Sequence, residues 1–366
     1  PTSEYKQCAG RAGRPQFDDY GEAVIIAKTS SESGVLFEKY ILADPEPVMS
    51  KLANETALRI HILSSICGGY IHDINGMLEF LSHTFLHHQK QESNLLDTVT
   101  QIFEFLHREK FIEQSGSRFF PTPFGALTSR LYIDPLSAII LRDGLNLIDA
   151  AHPFNPVGIL HMLTCTPNSP RLNVGKKDLE NLEEFASYQK DNFFLTPHNT
   201  HMLDDYYVYL ATLKVSWMLL QWIEEEKEEE ICDQFNIGPG DVYRHMESIQ
   251  WLLYGAAQIA HLNHQRTLTF QLEALRARIR YGIKEELLDL ISLKGVGRVR
   301  ARVLFLRGFK KLTDFKFTTE EELGSLKQIG RSLATDILMQ IAQKEAKKSR
   351  PTSTASNQMS EETWSS

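Results

Sequence analysis

At 366 residues and 42% apolar content the chain is long enough for two to four domains, each with its own core. No apolar run reaches the roughly 18 residues of a transmembrane helix, and the polar start Pro1-Thr2-Ser3-Glu4-Tyr5-Lys6 does not read as a signal peptide. The net charge of −8 argues against a chain that coats nucleic acid throughout, yet leaves local basic sites open.

The four cysteines, Cys8, Cys67, Cys165 and Cys232, form no C-x-x-C pair. That argues against a zinc ribbon and a disulfide framework and fits a reducing cytoplasm. Without an initiator Met the chain reads as the C-terminal part of a longer polypeptide.

The organising stretch is Gln7-Cys8-Ala9-Gly10-Arg11-Ala12-Gly13-Arg14-Pro15. Two arginines three apart among small residues read as a tight loop entering a helix. Their planar, permanently charged forks can reach one anion from one face, as a triphosphate clamp requires. Ala23-Val24-Ile25-Ile26-Ala27 suits a strand buried on both faces of a parallel sheet, although one such strand cannot form a sheet alone. Neither G-x-x-x-x-G-K-[ST] nor D-E-x-[DH] occurs, so this stretch by itself is expected not to hydrolyse ATP.

Residues 36–50, through Asp44-Pro45-Glu46-Pro47, read as a linker. From Lys51 to about Asp134, amphipathic helices (Leu58, Ile62, Leu63 and Ile66; Ile74–Leu81; Thr98–Lys110) lead to an alternating stretch around Ser115-Gly116-Ser117. Helices followed by such a hairpin suggest a winged helix. Few basic residues lie on its candidate recognition helix, which favours docking over DNA binding.

Residues 134–282 read as a helical bundle, with helices over 135–150, 156–165, 177–190 and 204–230. The acidic run Glu224–Glu230 reads as a solvated helix end. His83 and His87 have metal-ligand spacing for one helix, and His198 and His201 add to the temptation, but no third ligand accompanies them, so no metal site is expected. Gly238-Pro239-Gly240-Asp241 is a strong helix start for a helix from Val242 to about His264. Val242, Met246, Ile249, Leu253, Ala256 and Ala260 form its apolar side. Arg244, Ser248, Trp251, Gly255 and Gln258 form another stripe. There an indole can stack a base, worth roughly 1–3 kcal/mol, while the arginine holds a phosphate; a half-buried core tryptophan fits the same spacing.

Lys294-Gly295-Val296-Gly297-Arg298-Val299-Arg300-Ala301-Arg302 carries the G-V-G of a helix-hairpin-helix. Its glycines let backbone N–H groups face a phosphate. Residues 294–311 hold Lys294, Arg298, Arg300, Arg302, Arg307, Lys310 and Lys311 and no acid. Such units grip backbone without reading sequence. A packed hairpin with a solvated basic face is the alternative. After about Lys348 the chain lacks apolar periodicity and should be disordered.

The pattern Q-x-x-G-R-x-G-R resembles the sixth motif of superfamily-two helicases. The longer string from Glu4 to Pro15, with Asp18 and Gly21-Glu22-Ala23, resembles the Ski-two-like group, in particular the archaeal repair helicase related to the helicase half of polymerase theta. The Arg244–Trp251 spacing matches that family's ratchet helix, and G-R-V-R-A-R its fifth domain. The resemblance implies a mainly α chain: the end of a RecA-like α/β domain over 1–35, linker and winged helix over 36–133, a helical ratchet domain over 134–282, a helix-hairpin-helix domain over 283–345 and a disordered tail over 346–366. It implies part of an ATP-dependent 3′–5′ DNA helicase that unwinds forked or branched DNA in replication-coupled repair. Gln7, Arg11 and Arg14 would then be catalytic, with Arg11 and Arg14 on the phosphates of ATP. Arg244, Trp251, Lys294, Gly295, Gly297, Arg298, Arg300 and Arg302 would bind nucleic acid. ATP and Mg2+ would be held mainly by N-terminal domains outside this stretch. The protein would act as a cytoplasmic, nucleoid-associated monomer on single-stranded and forked DNA. Motifs one to five and the strand-separating hairpin that precedes motif six are not in this sequence. An RNA helicase of the same group and a stand-alone nucleic-acid-binding module are the alternatives. A winged-helix transcription regulator is a further possibility; it predicts sequence-specific duplex binding and no effect of Trp251.

Overall fold

The structure, a computed structural model, describes residues 1–14, 16–89, 95–195 and 206–348. Its contacts divide it into two compact units: Pro1–Leu58 with Ile74–Gln101, and Arg59–Asp73 with the chain from Ile102 onward. The described residues are mainly helical, with one two-stranded sheet.

In the first unit, α1 (Thr2–Ala9) and α2 (Ser30–Leu36) both pack on a π-helical turn at Phe37–Leu42. Helix α1 is fastened at its start. Glu46 accepts hydrogen bonds from the backbone N–H groups of Thr2 (2.6 Å) and Ser3 (2.9 Å), and Thr2 Oγ1 donates to Lys39 O (2.8 Å). Four helix-start N–H groups lack intrahelical partners, and a carboxylate satisfies them best. Those backbone bonds hold the Glu46 carboxyl down at about 2. The stretch read as a linker is therefore the cap of α1. Helix α3 (Glu55–Cys67) begins in this unit and continues into the second. Helices α4 (Ile74–Ser82) and α5 (Phe85–Gln89) follow, and α6 (Leu95–Arg108) again runs from one unit into the other.

Two expectations fail here. The strand read at Ala23–Ala27 does not form: Val24 is 78% and Ile26 88% exposed, because no neighbouring strand among the described residues takes up its hydrogen bonds. His83 and His87 do not share a helix, since α4 ends at Ser82 and α5 begins at Phe85. His198, His201 and the tail beyond residue 348 lie outside the described residues.

In the second unit the hairpin forms around Ser115-Gly116-Ser117. Strand β1 (Ile112–Ser115) pairs antiparallel with β2 (Arg118–Pro121), Ile112 opposite Pro121 and Ser115 opposite Arg118. Phe111 is buried and stacks on Phe124 at 4.8 Å. Thr122 then caps α7 (Pro123–Leu131), and Asp134 caps α8 (Pro135–Asn146). Asp134 is wholly buried, and Arg59 meets it with two bonds, Nε to Oδ1 (3.1 Å) and Nη2 to Oδ2 (2.9 Å). A buried carboxylate persists only when paired this way.

The bundle continues with α9 (Pro156–Thr164), α10 (Leu179–Gln189), α11 (Tyr206–Ile223), α12 (Glu228–Phe235), α13 (Pro239–Leu262) and α14 (Arg266–Tyr281). The single helix read over 204–230 is broken: Glu225 takes a left-handed backbone (φ 70°), which separates α11 from α12. Helix α13 is the axis, packing on α7, α8, α9, α12 and α14. Its inner side ends in Gly255, Ala256, Ala257 and Ala260, all buried, and such small residues let neighbouring backbones approach closely.

The last segment has its own core, including Leu287, Leu290, Leu304, Phe315, Leu323 and Ile337. It comprises α15 (Leu288–Ile291), α16 (Arg298–Leu306), α17 (Glu320–Gly324) and α18 (Gly330–Lys348).

Candidate nucleic-acid interface

Helix α13 starts where the glycines and Pro239 predict. Gly238 stands at the cap, and Asp241 Oδ2 accepts from Gly238 N (3.1 Å). Seven residues are close to two helical turns, so Arg244 and Trp251 face the same way about 10 Å apart along the axis. Arg244 is exposed; its guanidinium lies 3.5 Å from Asp241, a surface pair that releases its partner readily. Trp251 is half-buried and its Nε1–H donates to Leu131 O at 3.1 Å. Leu131 is the last residue of α7, so the indole edge caps that helix while part of the ring stays open. The stripe is not uniformly polar. It sinks along its length, from exposed Arg244 to buried Gly255, where Leu131 and Ile133 close over it.

The next residue after Arg244 is His245, which is buried with both ring nitrogens unpartnered. Burial, together with the Arg244 charge, holds its pKa down at about 4. On α9 the buried His161 is held at about 4 by burial alone. It packs on Phe193 (4.3 Å), and its Nε2 lies 3.6 Å from Cys165 Sγ. Burial pushes that thiol up to about 12, which leaves it inert.

A turn at Gly295 followed by a helix forms where the G-V-G was read. Gly295 turns the chain with φ 87°, a conformation a side chain resists, and Gly297 precedes α16. Gln340 on α18 clamps the hairpin: its Oε1 accepts from Lys294 N (2.7 Å) and its Nε2 donates to Lys294 O (3.2 Å). The basic residues have unequal freedom. Lys294 is exposed. Arg300 donates to Gly295 O (2.7 Å) and Gln328 O (2.9 Å), tying this turn to the one that precedes α18. Arg298 donates to Glu226 O (2.6 Å) and lies over Trp222 at 5.0 Å, and burial lowers its pKa. Arg302 is clamped by Glu225 (2.8 and 2.9 Å) and Glu286 (2.6 Å).

The acidic run read as a solvated helix end therefore supplies a junction. Glu224 pairs with Arg278 (3.0 Å) and with Lys284 (3.6 Å), Glu225 also accepts from Lys284 N (3.1 Å), and Trp222 Nε1 donates to Ile279 O (2.8 Å). Desolvation would raise the Glu225 pKa, but the Arg302 bonds and charge bring it below the usual carboxylate range. Gly282 lies at the centre with φ 62°; a Cβ there would sit 2.6 Å from the Trp222 ring. No local pattern in 224–230 separates a paired glutamate from a free one. The only signal was the absence of acids among seven bases in 294–311, which had to find partners elsewhere.

At the N-terminus, Gln7 lies exposed in α1 and Arg11 in the turn that follows. The loop leaves a helix; it does not enter one. Gly10 ends α1, and the backbones of Gly13 and Gly21 lie against each other, closing the loop with no room for helix. Arg14 N donates to Asp18 Oδ2 (2.7 Å), and its guanidinium lies 5.2 Å over Phe17. Gln7, Arg11 and Arg14 belong to the first unit; Arg244, Trp251 and the hairpin residues belong to the second.

A long helix carrying an exposed arginine and a half-open indole is followed by a segment rich in basic residues. Comparison with known proteins extends this description. Residues 157–282, α9 to α14, match the family described as archaeal helicase, domain 4, and residues 21–113 match a helix-turn-helix domain family. Among curated proteins the chain is similar to the ATP-dependent DNA helicase Hel308 of Methanocella arvoryzae, at 38% identity over 94% of this chain and 46% of the relative. Its namesake in Pyrococcus horikoshii is 37% identical over 92% of this chain and 47% of that protein. The one in Thermococcus kodakarensis is 35% identical over 92% of this chain and 30% of that protein. Over nearly all of its length the chain is thus similar to one part of the archaeal Hel308 helicases. It spans about half the length of most of the relatives named.

Proposed function

We propose that this chain is the strand-handling C-terminal part of an ATP-dependent DNA helicase that moves 3′ to 5′ on single-stranded DNA and unwinds forked or branched duplexes. The observation that carries the reading is on α13: an exposed Arg244 and a half-open Trp251 two turns apart, within the segment that matches archaeal helicase domain 4. Trp251 stacks a base and Arg244 holds backbone phosphate. Residues 36–133 supply the linker and the winged helix, 134–282 the ratchet and 283–345 the helix-hairpin-helix domain. Lys294 and Arg300 are the hairpin residues best placed for phosphate, with the backbone around Gly295 and Gly297. Arg298 and Arg302 serve chiefly to seat the hairpin on α11 and α14.

ATP with Mg2+ supplies the driving reaction and is held mainly by residues outside this chain. Gln7 and Arg11 are exposed and Arg14 keeps an open fork beside Asp18, which suits contact with phosphates. The setting is the cytoplasm, on chromosomal DNA, as a monomer. No described helix is long and apolar enough to cross a membrane.

The test is binding of a fluorescent single-stranded DNA by this chain, wild type against Trp251→Ala, at two salt concentrations, with an oligoribonucleotide as competitor. The expected result is a loss of about 1–3 kcal/mol with a persistent salt dependence. Unchanged binding by Trp251→Ala, or displacement of DNA by RNA at equal concentration, refutes the reading.

A further inference from the structure

Beside the start of α13 lies a cavity of about 970 Å³, walled by the loop at residues 171–178 and the end of α12. Five basic side chains line it, Arg171, Lys176, Lys177, Lys214 and Arg244, against the acids Asp178, Asp233 and Asp241. The local sign is therefore opposite to the chain's net −8.

The bases have different roles. Lys214 is 4% exposed; its Nζ donates to Asp178 Oδ2 (2.8 Å) and Asn173 O (2.9 Å). Asp178 Oδ2 also accepts from Gly175 N (2.7 Å). Lys214 is thus neutralised, and it fastens the loop onto α11. Arg171, Lys176 and Lys177 are exposed and make no ion pair among the described residues. Asn181 lines this cavity and also a second one of about 600 Å³, which Trp217 and Tyr188 line as well. There Trp217 stacks on Phe185 at 5.2 Å, beside Glu184, and Tyr188 stands 84% exposed. A row of free cations leading to an open aromatic ring is the combination that holds single strands without sequence preference.

We propose that this groove is a second binding site for a single-stranded polynucleotide, with backbone phosphates on Arg171, Lys176 and Lys177 and a base on Tyr188. It rests on the nucleic-acid reading above; Arg244 of α13 lines the same cavity, but the contacts named here lie outside that helix. A free anion would satisfy the lysines alone; the aromatic end favours a polynucleotide.

The experiment measures oligo(dT) binding against salt for wild type, Lys176→Glu/Lys177→Glu, Tyr188→Ala and Trp251→Ala. The double variant is expected to bind roughly three- to tenfold more weakly and to lose about 1.4 from the slope of log affinity against log salt, about 0.7 for each contact. Tyr188→Ala weakens binding with the slope unchanged. The neutral pair Lys176→Gln/Lys177→Gln must act in the same direction, which separates contact from repulsion or misfolding. If the lysine and tyrosine variants bind as wild type does while Trp251→Ala is impaired, the groove is empty and only this inference falls. If wild type itself does not bind, both readings fall. Inorganic phosphate that shifts Lys176 and Lys177 amide resonances, with oligo(dT) affinity unaffected by the variants, assigns the groove to a free anion and overturns the proposal.

Discussion

Trp251 has two tasks in this structure, and they can be separated. Its Nε1–H caps the end of α7 through Leu131 O, and its ring is half-buried. A tryptophan buries about 150–250 Å², so a half-buried one removes about 100 Å² from water. At about 25 cal/mol per Å² that stabilises by roughly 2.5 kcal/mol. The lost hydrogen bond adds about 1 kcal/mol, so Trp251→Ala should destabilise by about 3.5 kcal/mol. Trp251→Phe keeps an aromatic face but loses the donor, and should cost about 1 kcal/mol. Binding should rank differently: Phe retains nearly all the affinity for single-stranded DNA, whereas Ala loses about 1–3 kcal/mol. Urea unfolding gives the first pair of numbers and fluorescence anisotropy, on protein shown to be folded, the second. If the phenylalanine variant is folded yet binds as weakly as the alanine variant, the ring face is not the contact and the reasoning fails.

Asp134→Ala removes the carboxylate that takes two bonds from the buried Arg59 and also the cap of α8, and should cost about 3–5 kcal/mol in urea unfolding; a change below about 1 kcal/mol means the pair is dispensable. Gly282→Ala must place a Cβ against Trp222 in a left-handed conformation, and a loss of about 1–2 kcal/mol is expected by thermal unfolding, with no loss arguing that the ring moves freely. His161 and His245 have folded pKa values near 4, below the ordinary 6.5, so the unfolded chain binds more protons between those values. Stability should be full above about pH 6.5 and fall toward pH 4, by about 3 kcal/mol for His161. A thermal midpoint that is flat over that window, or a fall that persists in His161→Leu/His245→Leu, counts against this.

Helix positions were legible wherever caps and periodicity are local. Gly238-Pro239 and Thr122-Pro123 mark starts that the structure keeps, and Ser115-Gly116-Ser117 marks the hairpin turn. What was not legible depends on contacts distant in sequence. Glu46 caps a helix 44 residues upstream, and Glu225 holds an arginine 77 residues downstream. The apolar run at Ala23–Ala27 reads as a strand, but a strand is a property of its neighbours, and none is present among the described residues. For the candidate site, spacing alone put Arg244 and Trp251 on one face. Whether the indole was open or buried was decided by α7, which lies 120 residues away in sequence.

Between Tyr206 and Phe235 there is no glycine and no proline. No helix breaker in that stretch stops the helix at Ile223, although Glu224–Glu226 oppose the dipole at the end of α11 and Glu228–Glu230 favour the start of α12. The bend at Glu225 is held from outside as well, by Arg302 and the Lys284 amide. Intrinsic helix propensity and tertiary demand are in opposition there. Weakening the junction, by Arg302→Ala or by acid that protonates Glu225, should lengthen the helix before it melts anything. The far-ultraviolet dichroism should then deepen as the hairpin domain comes loose, a gain of order produced by a loss of contact.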